Sequence, residues 1–217
     1  MVTTTLNTLT AEQIAQRLTQ SGSVETDEPY PPGLLKEPLR PAAVLIPLLR
    51  IEGEWHVLFI RRAEHAEDLH SGQVAFPGGG SHPRDKDLIT TALREAYEEI
   101  GLAPADVRIL GTLNEFITIS SYRVTPVIGV MPWPYHLILD PNEVSRAFTI
   151  PLEWLANPDN HSIQERILPP PYRPASVIYF QPYDGELLWG ASARFALGLV
   201  WLLSGEKETK NGILGPV

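Results

Sequence analysis

The spacing of apolar residues along this chain changes period several times, and each change predicts a new element. Near the start, Ile14 and Leu18 stand four apart in an otherwise polar stretch, which makes one helical stripe. Thr10 and Gln13 have the three-residue spacing of a capping box ahead of that helix. Residues 21–40 are polar and proline-rich and read as a surface loop or linker. From Ala42 the pattern becomes continuous: Ala43 to Leu49 reads as a buried strand, Glu52-Gly53-Glu54 as a turn, and Trp55 to Ile60 as the returning strand of a hairpin. Gln73 to Phe76 is a short strand that runs into Pro77 and three glycines, followed by a polar loop from Ser81 to Asp87. A helix is predicted over 88–100, with Ile89, Leu93, Ala96 and Ile100 on one face and Gly101 as its stop. Strands are predicted over 107–118, 122–131, 163–168 and 177–180. Pro151 is placed at the first position of a short helix ending at Leu155, and an apolar helix over 191–203 closes the series. Helices separated by hairpin-linked strands predict one α/β domain with a mixed sheet.

Composition narrows the function. With 217 residues and 43% hydrophobic content the chain can bury a core without staples. It has no cysteine, which removes disulfides, thiolate metal sites and a cysteine nucleophile together and fits a reducing compartment. A net charge of -9 argues against sequence-independent nucleic-acid binding, which needs clustered Lys and Arg. No apolar run is long enough to span a bilayer, and the first residues lack the basic-then-apolar layout of a signal peptide, so the expectation is a cytoplasmic protein with no membrane partner. The 21 prolines include clusters at Pro29, Pro31 and Pro32 and at Pro169 to Pro171, and mark extended loops between apolar segments.

Candidate chemistry lies between Phe76 and Leu102. Glu95, Glu98 and Glu99 are spaced by three and four, and therefore share the side of the helix away from its apolar face. Acidic triplets on helices are ordinarily solvated faces. Here, however, three glycines precede the helix, and Gly78 to Gly80 allow the backbone to approach a metal or phosphate that side chains would block. A hard dication would relieve the repulsion among three carboxylates, because Mg²⁺ and its relatives favour carboxylate oxygens and retain waters for substrate to displace. Arg94, four residues before Glu98, is placed to hold that carboxylate in one rotamer.

This stretch resembles the signature box of the Nudix hydrolases, G-x5-E-x7-R-E-U-x-E-E-x-G-U with U apolar. Arg94, Glu95, Glu98, Glu99, Gly101 and Leu102 match, and Ala96 fills an apolar slot. The position eight before Arg94, where the box has glutamate, holds Lys86; taking Gly79 as the first glycine puts Asp85 in the acidic slot with one extra residue after it, and this second alignment is the one favoured here. A second stretch, His70-Ser71-Gly72-Gln73-Val74-Ala75-Phe76-Pro77-Gly78-Gly79 with Arg62 upstream, is similar to the extra motif of the coenzyme A pyrophosphatase branch. It departs at Ala63, at Glu67-Asp68 and by one residue of spacing. Further similarity at Val124 to Gly129, Pro141 to Val144 and Trp189 to Arg194 extends the likeness over most of residues 40–205.

The resemblance implies a Nudix fold, an α/β/α sandwich with a mixed central β-sheet. It implies a lead-in over 1–40, the catalytic domain over 41–205 and a tail over 206–217. The activity it implies is metal-dependent hydrolysis of a small-molecule nucleoside-diphosphate substrate, foremost coenzyme A or an acyl-coenzyme A, giving 3′,5′-ADP and a 4′-phosphopantetheine product. ADP-ribose or a dinucleotide is the alternative substrate, and a non-catalytic Nudix-fold binding module the alternative class. Mg²⁺ or Mn²⁺ would be held by Glu95, Glu98 and Glu99 with the Gly79 carbonyl. Glu98 is the first choice as the base and Glu143 the second. Arg61, Arg62, His70, Gln73 and Gly78 are the candidates for holding substrate. Trp133, Trp154, Trp189 and Tyr122 are candidates for stacking on a base, each weighed against a core or interface role. A homodimer is the superfamily expectation.

Overall fold

The computed structural model describes residues 5–20, 35, 38–65, 71–167 and 175–205. Its centre is a mixed eight-stranded sheet. Strand β1 (Arg40–Ile51) and β2 (Glu54–Arg62) form the expected antiparallel hairpin, with the register Ile51↔Glu54 to Leu48↔Val57. Beyond Leu48 the two strands part. The other half of β1 pairs with β4 (Gly78–Gly80), and β2 pairs with the two-residue β3 (Val74–Ala75). Pro47 sits where β1 changes partners. Leu45 N–H points to that edge and donates to Pro77 O at 2.8 Å, and Pro47 shares its direction, so the missing proline N–H falls where no strand requires it.

On its other side β1 runs parallel to β7 (Tyr122–Val130), the pairing that makes the sheet mixed. The single strand predicted over 107–118 is instead two, β5 (Arg108–Thr112) and β6 (Phe116–Ile117), both antiparallel to β7. The break lies opposite Pro126. Leu113 N–H reaches Pro126 O at 3.0 Å, so Pro126 presents that edge with an acceptor but no donor, and the ladder cannot continue there.

Sequence periodicity missed β8 (Val144–Pro151), which pairs with the outer edge of β2. Its register shifts between Arg61 and Arg62, because Ser145 is an extra residue on β8. Val144 therefore turns into one core while Phe148 and Ile150 turn into the other, although all three are even-numbered. Pro151 ends β8 rather than opening the helix α3 (Leu152–Ala156). The last strands, β9 (His161–Arg166) and β10 (Ala175–Phe180), form a separate antiparallel pair.

Helices cover both faces. Alternation along β1 and β2 sends Ile46, Leu48, Val57 and Phe59 to one side, against α1 (Ala11–Gln20), α3 and α4 (Gly190–Ser204). It sends Ala43, Leu45, Leu49, Leu58 and Ile60 to the other, against α2 (Leu88–Ile100). The result is an α/β/α sandwich, as expected. The capping box of α1 is formed in both directions, Thr10 N–H to Gln13 Oε1 at 2.8 Å and Gln13 N–H to Thr10 Oγ1 at 3.2 Å. Ile14 and Leu18 are buried, and Trp55 Nε1–H donates to Leu9 O at 2.8 Å, so this leading segment lies on the main core. No helix among the described residues is long and apolar enough to cross a membrane.

Candidate active site

Helix α2 begins and ends where its sequence dictates. Asp87 caps it by accepting from Thr90 N–H at 2.7 Å, and Gly101 closes it in the left-handed conformation at φ 70°. Ala92 and Ala96 are fully buried, and their small side chains let the helix lie close over β1 and β4. This brings the acidic side of α2 onto the glycine strand.

The three glutamates do not share one environment. Glu99 departs from the expected solvent side: it is 1% exposed, accepts from Gly78 N–H at 3.0 Å, and lies 4.0 Å from Arg62 Nη1. Burial pushes its carboxyl up to about 8, with the Gly78 N–H and Arg62 only partly opposing. Glu95 is half-buried against Gly79, where an added Cβ would stand 2.6 Å from its carboxyl carbon. Its pKa is raised chiefly by burial, with Glu98 and Glu143 adding to the shift. Glu98 is 53% exposed and accepts from Arg94 Nη1 at 2.8 Å, the pairing that the spacing predicts.

Arg94 ties these groups together. It donates to Glu95 and Glu98, to Gly80 O at 3.1 Å, and through Nε and Nη2 to the two oxygens of Asp85, both at 3.0 Å. Asp85, only 4% exposed at its side chain, also accepts from Thr91 Oγ1–H and His82 N–H. The Arg94 guanidinium holds the Asp85 carboxyl well below the usual carboxylate range. Lys86 is exposed beside Asp87. The acid that serves Arg94 is thus Asp85. Thr91, buried beneath Asp85, carried no signal in the sequence.

The other candidates divide. Gly78, Gly79 and Arg62 meet the glutamates. Glu143 is exposed in the turn before β8, fixed by Ala63 N–H to Glu143 O at 2.8 Å, and close enough that its charge raises both Glu95 and Glu99. Gln73 O accepts from Arg62 N–H at 3.0 Å, which joins its segment to the same strand end. Arg61 points elsewhere, to Glu64 at 3.2 Å and Glu186 at 3.7 Å. His70 and Glu67-Asp68 lie outside the described residues. Of the aromatic candidates, Trp154 packs on Phe180 and Tyr183, Trp189 stacks on Tyr179, and Tyr122 lies beneath Arg40. Trp133 is partly exposed. Among the described residues, no three His, Asp or Glu side chains already stand together at ion-holding separation. Arg94 Nη1 instead bridges Glu95 and Glu98.

The NUDIX domain family model matches residues 38–169. The chain belongs to the Nudix family. Its relatives include an uncharacterized Nudix hydrolase NudL of Photorhabdus laumondii, 37% identical over 166 residues that cover 76% of this chain and 86% of that one. A protein of the same description from Yersinia pestis is 39% identical over 155 residues, covering 71% and 75%. Among solved structures, a MutT/nudix family protein of Enterococcus faecalis superposes with a TM-score of 0.52 over 95% of this chain and 79% of its own, at 14% identity, a likeness of fold. As a Nudix hydrolase the protein is a pyrophosphohydrolase acting on a diphosphate substrate, in a family that generally uses divalent metal ions.

The Asp85–Arg94 pair in this Nudix chain carries two expected outcomes. Asp85→Ala leaves Arg94 without its two-point partner and lowers stability by about 2–4 kcal/mol in denaturant titration, whereas Lys86→Ala changes it by less than about 0.5 kcal/mol. The pH dependence follows from the depressed pKa of Asp85. A carboxylate whose folded pKa lies below its unfolded value stabilises the fold at all pH above the unfolded value, roughly 3.9, and loses that contribution as pH falls toward the folded one. Acid melts of wild type should therefore steepen below about pH 4, and those of Asp85→Asn should be flatter over the same range.

Proposed function

We propose that this Nudix hydrolase cuts coenzyme A or an acyl-coenzyme A at the diphosphate, releasing 3′,5′-ADP and a 4′-phosphopantetheine product. One observation carries the substrate: Arg62 and Gln73, residues of the coenzyme A-type motif, are joined backbone to backbone at the strand end where Arg62 Nη1 approaches Glu99. A motif remote from the glutamates would have favoured another diphosphate.

Glu95, Glu98 and Glu99, with the Gly79 carbonyl, would hold Mg²⁺ or Mn²⁺. The donors suit such an ion: carboxylate oxygens, two of them raised in pKa by burial, against a backbone position where a Cβ would collide with Glu95. When bound, the metal would neutralise diphosphate charge and lower the pKa of an attacking water. The chain's own contributions are positional. Arg94 orients Glu95 and Glu98, Gly78 N–H orients Glu99, and Arg62 supplies a guanidinium for phosphate oxygens. Glu98, exposed at the edge of the cluster, takes the proton from water; Glu143 is the second candidate.

The test is turnover of coenzyme A, an acyl-coenzyme A and ADP-ribose by purified protein with Mg²⁺ or Mn²⁺, read by chromatography of the nucleotide products. Appearance of 3′,5′-ADP, lost with chelator and restored by either metal, is the expected result. Cleavage of ADP-ribose alone would replace the substrate; no cleavage of any, with metal bound, would remove the enzymatic reading.

A further inference from the structure

The ends of β2 and β8 border a cleft of about 570 Å³ whose lining includes Arg61, His65, Asn142, Ser145, Arg146 and Glu186. It opens on the face of the sheet opposite α2: Arg61 and Arg146 each lie two residues from Phe59 and Phe148 of the other core, and the Arg146 guanidinium stands 5.2 Å from the Phe148 ring centre. Arg61 and Arg146 are direct cross-strand partners. Like charges in that relation repel, so the pair requires a counter-charge.

Glu186 supplies it. This residue, 7% exposed, ends a tight turn closed by reciprocal 2.9 Å backbone hydrogen bonds with Tyr183. Its Oε1 accepts from Arg146 Nη1 at 3.0 Å, and its Oε2 lies 3.7 Å from Arg61 Nη1. One buried carboxylate therefore aligns both guanidiniums. Their remaining partners, Glu64 for Arg61 and Asp184 for Arg146, are exposed. Exposed pairs hold little free energy and exchange readily with a better acceptor. A phosphomonoester is such an acceptor, because it carries nearly two charges and matches the guanidinium fork with parallel hydrogen bonds.

The bulge links this cleft to the glutamates. Ser145 Oγ–H reaches Arg61 O at 3.2 Å and Arg62 O at 3.3 Å, fixing the kink at which consecutive residues part. Arg62 goes to Glu99, and Arg61 goes to the cleft. Bulges near sites of chemistry re-aim side chains in this way.

We infer that Arg61 and Arg146, aligned by Glu186, form a second anion subsite that receives a terminal phosphomonoester of the substrate, apart from the diphosphate at the glutamates. The inference rests on the coenzyme A reading, in which that group is the 3′-phosphate. It gives Arg61 a role distinct from that of Arg62 and assigns Arg146 and Glu186, on which sequence reasoning was silent.

The experiment compares kcat/KM for coenzyme A and dephospho-coenzyme A in wild type, Arg146→Gln and Arg146→Lys, with calorimetric binding of 3′,5′-ADP, 5′-AMP and inorganic phosphate. Wild type should prefer coenzyme A, and Arg146→Gln should lower that preference by about 10- to 100-fold through KM, with Arg146→Lys retaining part of it. The tighter binding of 3′,5′-ADP over 5′-AMP should vanish in Arg146→Gln. Both substrates meet the same folded molecules, so a loss of fold cancels from the ratio. An unchanged ratio in Arg146→Gln overturns the subsite, as does phosphate binding at the pair without any change in ratio. If wild type cleaves neither substrate, the coenzyme A reading fails, and the calorimetric comparison of 3′,5′-ADP with 5′-AMP decides the subsite alone.

Discussion

Glu98→Gln is expected to lower kcat by about 10²–10⁴-fold while leaving the melting temperature close to that of wild type, because the exchange removes a proton acceptor without removing volume. Glu98 can be changed cleanly. It is 53% exposed and its one charged partner in α2, Arg94, keeps Asp85 and Glu95. Glu95→Gln should lose activity on a similar scale, and both exchanges should weaken the apparent affinity for Mg²⁺ or Mn²⁺, since a neutral amide is a poor ligand for a hard cation. Glu143→Gln separates the two candidates for the base. A loss as large as that expected of Glu98→Gln, with Glu98→Gln itself near wild-type rate, would transfer the role to Glu143. Steady-state rates over a metal titration, with thermal melts of each variant, provide the measurement.

The second large effect is a contrast between neighbouring glycines. A Cβ at Gly78 would stand 2.6 Å from Val44 Cα and closer still to Ala43 O, both backbone atoms of β1 that cannot yield without breaking the β1–β4 pairing. Gly78→Ala should therefore cost about 2–4 kcal/mol of stability, seen in denaturant titration. The three atoms that a Cβ at Gly79 would meet first all lie at the far end of a side chain, the Glu95 carboxyl group at 2.6 Å. That group can swing away at little cost to the fold, but not at little cost to the site. Gly79→Ala is expected to fold with a near-normal melting temperature and to lose about 10²-fold in rate, the scale of an ångström's misplacement in a catalytic constellation. Equal stability losses in the two variants would show that the Glu95 carboxyl is not held against Gly79 as described.

Most of the elements were legible in the chain because each obeys one period without interruption. Helix α2 lies over Leu88–Ile100, as its apolar spacing and Gly101 predict, and the β1–β2 hairpin turns at Glu52-Gly53. The misreadings fall where a period is broken for a tertiary reason. Pro126 splits one expected strand into β5 and β6 by withholding a donor that only the neighbouring strand needs. Ser145 inverts the faces of β8, so its apolar residues alternate in number but not in direction. At the site, helical spacing assigns Glu95, Glu98 and Glu99 to one side and cannot say which is buried. The close approach of α2 to the glycine strand, permitted by Ala92 and Ala96, sinks Glu99 and leaves Glu98 in water.

The order of residues alone was enough to establish the family signature, the layered α/β architecture and the set of acidic side chains on α2, because hydrophobic period, glycine placement and charge spacing are local properties of the chain. The chain already favoured Asp85 over Lys86 for the acidic slot; only the folded molecule decided that Asp85 grips Arg94 at two points, that Glu99 is the buried member of its cluster, and that Arg61 turns away from Arg62 toward Arg146 and Glu186. Each of these depends on where a distant strand or turn comes to rest, and burial, partner and direction exist only once that contact is made.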